Sequence, residues 1–186
     1  MRITQSGSGR ISISSPARRP RPRLPGGSIS CEQEAVRLLL IEDGNEYEEF
    51  ARHFLADRFE IDAAHSGAEA RARLESGRAD PSRSIDALLV DLRFERARPE
   101  DLVGDLADLA KRMFAGDLER ARRWAKDQQG TLILGELRKA GFRQRAVFVH
   151  DFPPDRLANL RKLYGDVHAV PGFDAEAIAR ALEGPS

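Results

Sequence analysis

Three carboxylates stand where a folded sheet would gather them. Glu42 and Asp43 directly follow the apolar run Val36–Ile41, and Asp91 closes the run Ile85–Asp91, Ile-Asp-Ala-Leu-Leu-Val-Asp. Short apolar runs bounded by polar residues read as strands buried on both faces, as in a parallel sheet. In an open α/β sheet the ligand crevice lies beyond the carboxyl ends of the strands. Two such strands side by side would put all three acids on one edge. That set suits a hard divalent cation, Mg²⁺ above all, held by few carboxylates and several waters. His150 ends a further run, Ala146–Val149, and is the other titratable side chain at a comparable place.

The elements that must position these groups follow from periodicity. After the first strand, Gly44 and Asn45 turn the chain into a helix over Glu46–Leu55, with Tyr47, Phe50, Ala51 and Phe54 on one face. Phe59–Ala64 alternates as a second strand, Ser66-Gly67 punctuates, and Ala68–Leu74 forms a helix that stops near Gly77. Ile85–Val90 is the third strand. From Gly130 the alternation resumes: helix Thr131–Lys139, strand Ala146–Val149, helix Pro154–Tyr164 with Leu157, Leu160 and Leu163 inward, short strand Val167–Val170, and helix Ala175–Leu182 capped by Asp174. The pattern predicts an α/β fold with a five-stranded parallel sheet and helices on both faces.

Between Asp91 and Gly130 the rhythm breaks. Pro99 is placed to open a helix with Glu100 and Asp101 in its first turn, and Leu102, Leu106, Leu109 and Met113 make one apolar stripe. A second segment follows Asp117, with Leu118, Ala121 and Ala125 on one face. The expectation is a helical insertion over residues 92–129, either covering the sheet edge or docking a partner. Intramolecular packing is the simpler of the two.

Net charge is zero over 186 residues, but residues 1–31 hold six arginines and no acid, so the remainder is acidic. That stretch, rich in Ser, Pro and Arg, lacks the apolar content to fold, and residues 1–34 are expected to be a disordered basic tail. The run Arg18–Arg23 could meet an anionic surface, although no specific nucleic-acid binding is expected. The single cysteine, Cys31, excludes an intramolecular disulfide and suits a cytoplasmic protein. No apolar run approaches the roughly 20 residues of a membrane span. His53, His65 and His168 are scattered without ligand spacing.

Taken together, Leu38–Asp43, Leu88–Asp91, the spacer Ala64–Ala70 and the Gly130 helix resemble the receiver domain of two-component response regulators. The resemblance covers residues 35–184 and is interrupted by the insertion. It implies a doubly wound, flavodoxin-like sheet of order 2-1-3-4-5, with the insertion between the third strand and the third helix of the family. It implies that Asp91 accepts a phosphoryl group from a histidine kinase or phosphotransfer protein, with Mg²⁺ held by Glu42, Asp43 and Asp91. The domain would then signal to a downstream protein, as a monomer or a homodimer, and would not be an enzyme. No effector motif follows Leu182, which fits a stand-alone receiver.

Two positions depart from the pattern. His150 stands where the family has a Thr or Ser, and Val170, before Pro171, where it has a Lys. Losing a cation beside a phosphoryl dianion costs several kcal/mol of stabilisation. The alternative is therefore a pseudo-receiver, an interaction module indifferent to phosphorylation. A Mg²⁺-dependent phosphohydrolase or nuclease on the same edge is disfavoured, because no Gly-rich phosphate loop or second nucleophile accompanies the acids.

Overall fold

A computed structural model describes residues 36–184. The expected basic tail, with Cys31 and the arginine run, lies outside them. Five parallel strands form one sheet: β1 (Val36–Ile41), β2 (Phe59–Ala64), β3 (Ala87–Val90), β4 (Arg145–Phe148) and β5 (Val167–Ala169). Their order is β2-β1-β3-β4-β5, the doubly wound arrangement that the resemblance implies. Register sets Ile41 level with Val90, and Val90 level with Phe148, so β1, β3 and β4 all end at one edge.

The strand residues divide by parity between two cores, since successive side chains of a strand point to opposite faces. Leu39, Ile41, Leu88, Val90 and Phe148 join one cluster, with helices α2 (Gly67–Ala79), α5 (Gln129–Lys139) and α6 (Pro154–Tyr164) on that face. Leu38, Leu40, Leu89 and Val147 join the other, under α1 (Glu46–Phe54) and α7 (Ala175–Glu183). Both faces are covered. That is why the strands read as unbroken apolar runs rather than alternating ones.

The insertion departs from its expected form. Pro99 opens only a single 3₁₀ turn, Pro99–Asp101, and the chain then breaks at Gly104, whose φ of 113° only glycine adopts readily. The helix α3 begins at Leu106, where the Asp105 side chain accepts from the Asp108 N–H, and ends at Met113. Its buried residue is Ala110, whereas Met113 is 55% exposed, so the long stripe is not one continuous face. Helix α4 (Leu118–Asp127) follows and buries Ala121 and Ala125 as its spacing predicts, while Leu118 faces outward. Helices α3 and α4 pack on each other, and α4 runs almost directly into α5.

Two other expectations are corrected. Helix α2 continues past Gly77 to Ala79, because Gly77 is a packing position and not a stop. A Cβ there would lie 2.5 Å from the Arg83 carbonyl oxygen. On α6, Leu160 is buried but Leu163 is 69% exposed. Steps of three residues drift backwards around a 3.6-residue helix, so the third leucine leaves the buried face.

The insertion is stitched to the core beside Asp91. Phe94 is buried in the α2/α5/α6 cluster, and its N–H donates to the Lys126 carbonyl at 2.9 Å. The Lys126 ammonium donates to the Glu95 carbonyl at 2.9 Å. At the start of α5, the Gly130 N–H donates to the Leu92 carbonyl at 3.0 Å, and a Cβ on Gly130 would lie 2.0 Å from the Asp91 carbonyl oxygen. Only glycine allows that approach. Gly130→Ala is therefore expected to push α5 off the end of β3 and to cost about 1–3 kcal/mol. Urea denaturation followed by circular dichroism checks this, and an unchanged midpoint would contradict it.

Candidate functional site

Beyond the ends of β1 and β3 lies a cleft of about 250 Å³, lined by Glu42, Asp43, Glu46, Tyr47, Asp91, Arg93, Glu95, Arg96 and Phe173. The three acids singled out from the sequence share this cleft, but they are engaged differently. Glu42 is only 2% exposed. Its two carboxylate oxygens accept from the backbone N–H groups of Tyr47 (3.1 Å) and Glu48 (2.7 Å), the first turn of α1. Asn45, the residue before that helix, makes no side-chain cap, so Glu42 supplies the anion that the helix start favours. Burial nevertheless holds its pKa above the usual carboxylate value.

Asp43 is taken by the insertion. One of its oxygens, Oδ2, accepts from the backbone N–H of Arg96 and from that of Ala97 (2.9 Å). The Arg96 guanidinium turns back and pairs with both carboxylate oxygens of Glu46. That pairing holds the Glu46 pKa down at about 2. Residues 93–97 thus form a strap across the acidic edge, fixed at Phe94 by the core and at Asp43 by two amides.

Asp91 is the least satisfied of the three. Its carboxylate accepts one long contact from the Arg93 N–H, 3.4 Å. Its backbone N–H continues the sheet by donating to the Ile41 carbonyl at 2.9 Å. Burial, and then the nearby charges of Asp43 and Glu42, raise its pKa to about 6. Among the described residues no cationic side chain forms an ion pair with it.

The positions at the ends of β4 and β5 are not part of the cleft lining. The His150 ring stands edge-on to Phe152 at 4.9 Å, and burial together with Arg156 and Arg93 lowers its pKa, which favours the uncharged ring. Val170 is buried in the α1/α7 core, where its N–H donates to the Phe148 carbonyl at 2.9 Å. There is no cis peptide among the described residues, so the Val170–Pro171 bond is trans.

Whether the residues suit Mg²⁺ is decided by this donor set. A carboxylate that ligates a metal is commonly hydrogen-bonded as well, so an amide contact orients the group without removing it from the donor set. Both oxygens of Glu42 are committed, as is one of Asp43. Among the described residues no group of three or more His, Cys, Asp or Glu side chains is arranged to hold a metal ion. The oxygens free of short amide contacts are those of Asp91 and Oδ1 of Asp43, and these two acids are the ones that would hold the ion.

Sequence reasoning missed the strap. Residues 93–98 announce themselves only as a charged stretch, and nothing in their order signals that two of their amides meet an acid more than 50 residues away. Tyr47, placed on the apolar face of the first helix by its spacing, packs against the α1/α7 core and, with Phe173, also lines the cleft.

No protein-family model matches the sequence, and comparison with curated proteins finds no relative. Solved structures do match in fold. The chain is similar to the Vibrio cholerae chemotaxis protein CheY4, with 15% identity, a TM-score of 0.52, and coverage of 80% of this chain and 96% of that one. It is similar to a two-component response regulator from Clostridium difficile, with 14% identity, a TM-score of 0.50, and coverage of 80% and 95%. It also resembles the N-terminal domain of an uncharacterized Wolinella succinogenes protein, with 14% identity, a TM-score of 0.51, and coverage of 80% and 92%. The fold is that of response-regulator receiver domains.

The state of Asp91 makes stability depend on pH. A carboxyl whose folded pKa lies above its unfolded value contributes stability below the unfolded pKa, near 4, and loses it as pH rises through about 6. Asp91→Asn keeps the shape and removes the charge. The variant is expected to be more stable than the parent at neutral pH by about 1–3 kcal/mol after allowing for solvent screening, with the difference gone below about pH 4. Thermal unfolding across that range measures it, and a variant less stable at neutral pH would refute the reading.

Proposed function

We propose that this protein is a receiver-type signalling module that works through protein contacts without an acyl-phosphate switch at Asp91. The carrying observation is the double amide contact on Asp43, which ties one oxygen of an acid in the same cleft as Asp91 to the insertion. Two further features support it. The apolar, buried Val170 offers no charge to a phosphoryl group, and His150 lies outside the cleft lining. The module is not an enzyme on this reading. Its partner is a downstream protein, and a cytoplasmic setting suits its lone cysteine. Among the described residues no helix is long and apolar enough to cross a membrane.

One observation favours the second reading, in which a histidine kinase or phosphotransfer protein phosphorylates Asp91 with Mg²⁺. Asp91 has an underused carboxylate facing a cleft with two arginines, Arg93 and Arg96, in its wall. An in-line attack by such a carboxylate would need charge neutralised on the phosphoryl oxygens. For that, Asp43 would offer its second oxygen, Oδ1, to a cation beside Asp91.

Intact mass after incubation with Mg²⁺ and acetyl phosphate separates the two, with Asp91→Asn as control. The expected result is no added phosphoryl group under conditions that label an ordinary receiver. A gain in the parent that is absent in the control would overturn the proposal. In that case Ala97→Pro, which removes one of the two amide donors to Asp43, should label faster than the parent.

A further inference from the structure

The helical insertion has a tip that is apolar, cationic and remote from the work of the acidic edge. Helix α3 packs chiefly on α4, and the turn between them stands clear of the rest of the chain. A Cβ on Gly116 would meet no atom within 4 Å beyond its own neighbours in sequence. The turn is nevertheless a fixed one. Ala115 takes φ 51° and Gly116 φ 91°, and the Gly116 N–H donates to the Ala110 carbonyl at 2.9 Å, which closes the end of α3. On either side of it Met113 is 55% exposed and Leu118 46%. Phe114, half-buried, lies between them, and the Trp124 ring is 6.5 Å from it. Two of the five large apolar side chains exposed among the described residues thus flank a single turn, where they make one patch rather than stray surface residues.

The charge around the tip specifies what the patch meets. From Lys111 to Lys126 the chain has six cationic side chains against two acids, whereas the rest of the described region is acidic. Both acids are engaged: the Asp117 side chain accepts from the Arg120 N–H, and Glu119 pairs with Arg122. Arg112 pairs with Asp108 on its own helix. Lys111, Arg120 and Arg123 are exposed and form no ion pair among the described residues. The Arg120 guanidinium lies over the Phe114 ring at 5.6 Å, so one free charge is held directly on the patch. Apolar and aromatic side chains ringed by free cations, on strongly amphipathic helices, are the composition of an element that rests in a membrane interface.

We infer that the α3–α4 hairpin docks the domain on an anionic lipid surface. Met113, Phe114 and Leu118 enter the boundary between headgroups and acyl chains, and Lys111, Arg120 and Arg123 meet lipid phosphates. A projecting turn suits a lipid surface, which deforms around it, better than a protein partner, which would have to supply a matching groove. A second copy of this chain would bring the same cations together, which like-charge repulsion disfavours. This surface lies on the insertion and does not depend on the state of Asp91.

The full chain is mixed with vesicles of phosphatidylcholine and phosphatidylglycerol in equal parts, with pure phosphatidylcholine as the neutral counterpart. Trp124 is the only tryptophan of the chain, so its emission reports the hairpin directly. With anionic vesicles a shift to shorter wavelength is expected, together with quenching by acyl-brominated lipid and weakening at high salt. Leu118→Glu should weaken the apparent affinity about tenfold, as should Arg120→Gln combined with Arg123→Gln. Leu163→Glu, at an exposed leucine of α6, should leave it unchanged. Leu118 opens α4, where an acid suits the helix start, and circular dichroism confirms that the variants are folded. Residues 1–31, with six arginines, can bring the chain to the same vesicles, so sedimentation without a change in Trp124 emission would overturn the inference. So would binding that Leu118→Glu leaves intact, or equal binding to the neutral vesicles. A Trp124 response to an oligoglutamate peptide and none to vesicles would also overturn it, and would make the occupant an acidic protein segment.

Discussion

Two amide hydrogens on one carboxylate oxygen decide how this protein differs from a plain doubly wound domain. Asp43 stands at the end of β1 because register puts it there, and Arg96 and Ala97 reach it because Phe94 is buried in the core two residues earlier. The strap is thus held at both ends, by an apolar anchor and by a charge-assisted pair of hydrogen bonds. The rest of the acidic edge depends on that closure. Glu46 is drawn to Arg96, Glu42 turns under α1, and Asp91 is left alone with a raised pKa.

A sheet edge of this kind concentrates negative charge by construction, since parallel strands end together. Something must balance it. In this chain the balance comes from backbone amides and from arginines of the insertion rather than from a cationic side chain on β5, where Val170 is packed into the hydrophobic core instead. The insertion is therefore a working part of the edge and not only a decoration. Its helices α3 and α4 form a pair of their own, while the first few residues after Asp91 act at the site.

The rings in the wall of the cleft show the same economy of position. Tyr47 and Phe50 sit on the turn of α1 that faces the loop after β5, so one ring from that loop, Phe173, bridges them. At the tip of the α3–α4 hairpin apolar area is left in water. A stable fold tolerates that only where stability is not the sole demand on the surface.

The burial of the strands on both faces and the convergence of Glu42, Asp43 and Asp91 on one end were legible in the chain, and the order of strands came with the resemblance to receiver domains. Apolar runs with terminal acids and the spacing of β-α-β units are local patterns, and they predict a parallel sheet covered by helices on both faces. The closeness required of Gly130 was visible only as a resemblance, and the structure supplies its reason in the Asp91 carbonyl. The insertion was harder to read. A stripe from Leu102 to Met113 fits one helix on paper, but Gly104 breaks it, and the true start at Leu106 depends on the Asp105 cap. Nothing local says that Arg96 meets Asp43 and Glu46, or that Tyr47, packed against the α1/α7 core, also stacks on Phe173. Those contacts join residues about 50 and more than 120 positions apart. Sequence periodicity reports which side of an element is apolar. Which oxygen of a carboxylate stays free is settled only when distant backbone amides arrive, and that is a property of tertiary structure alone.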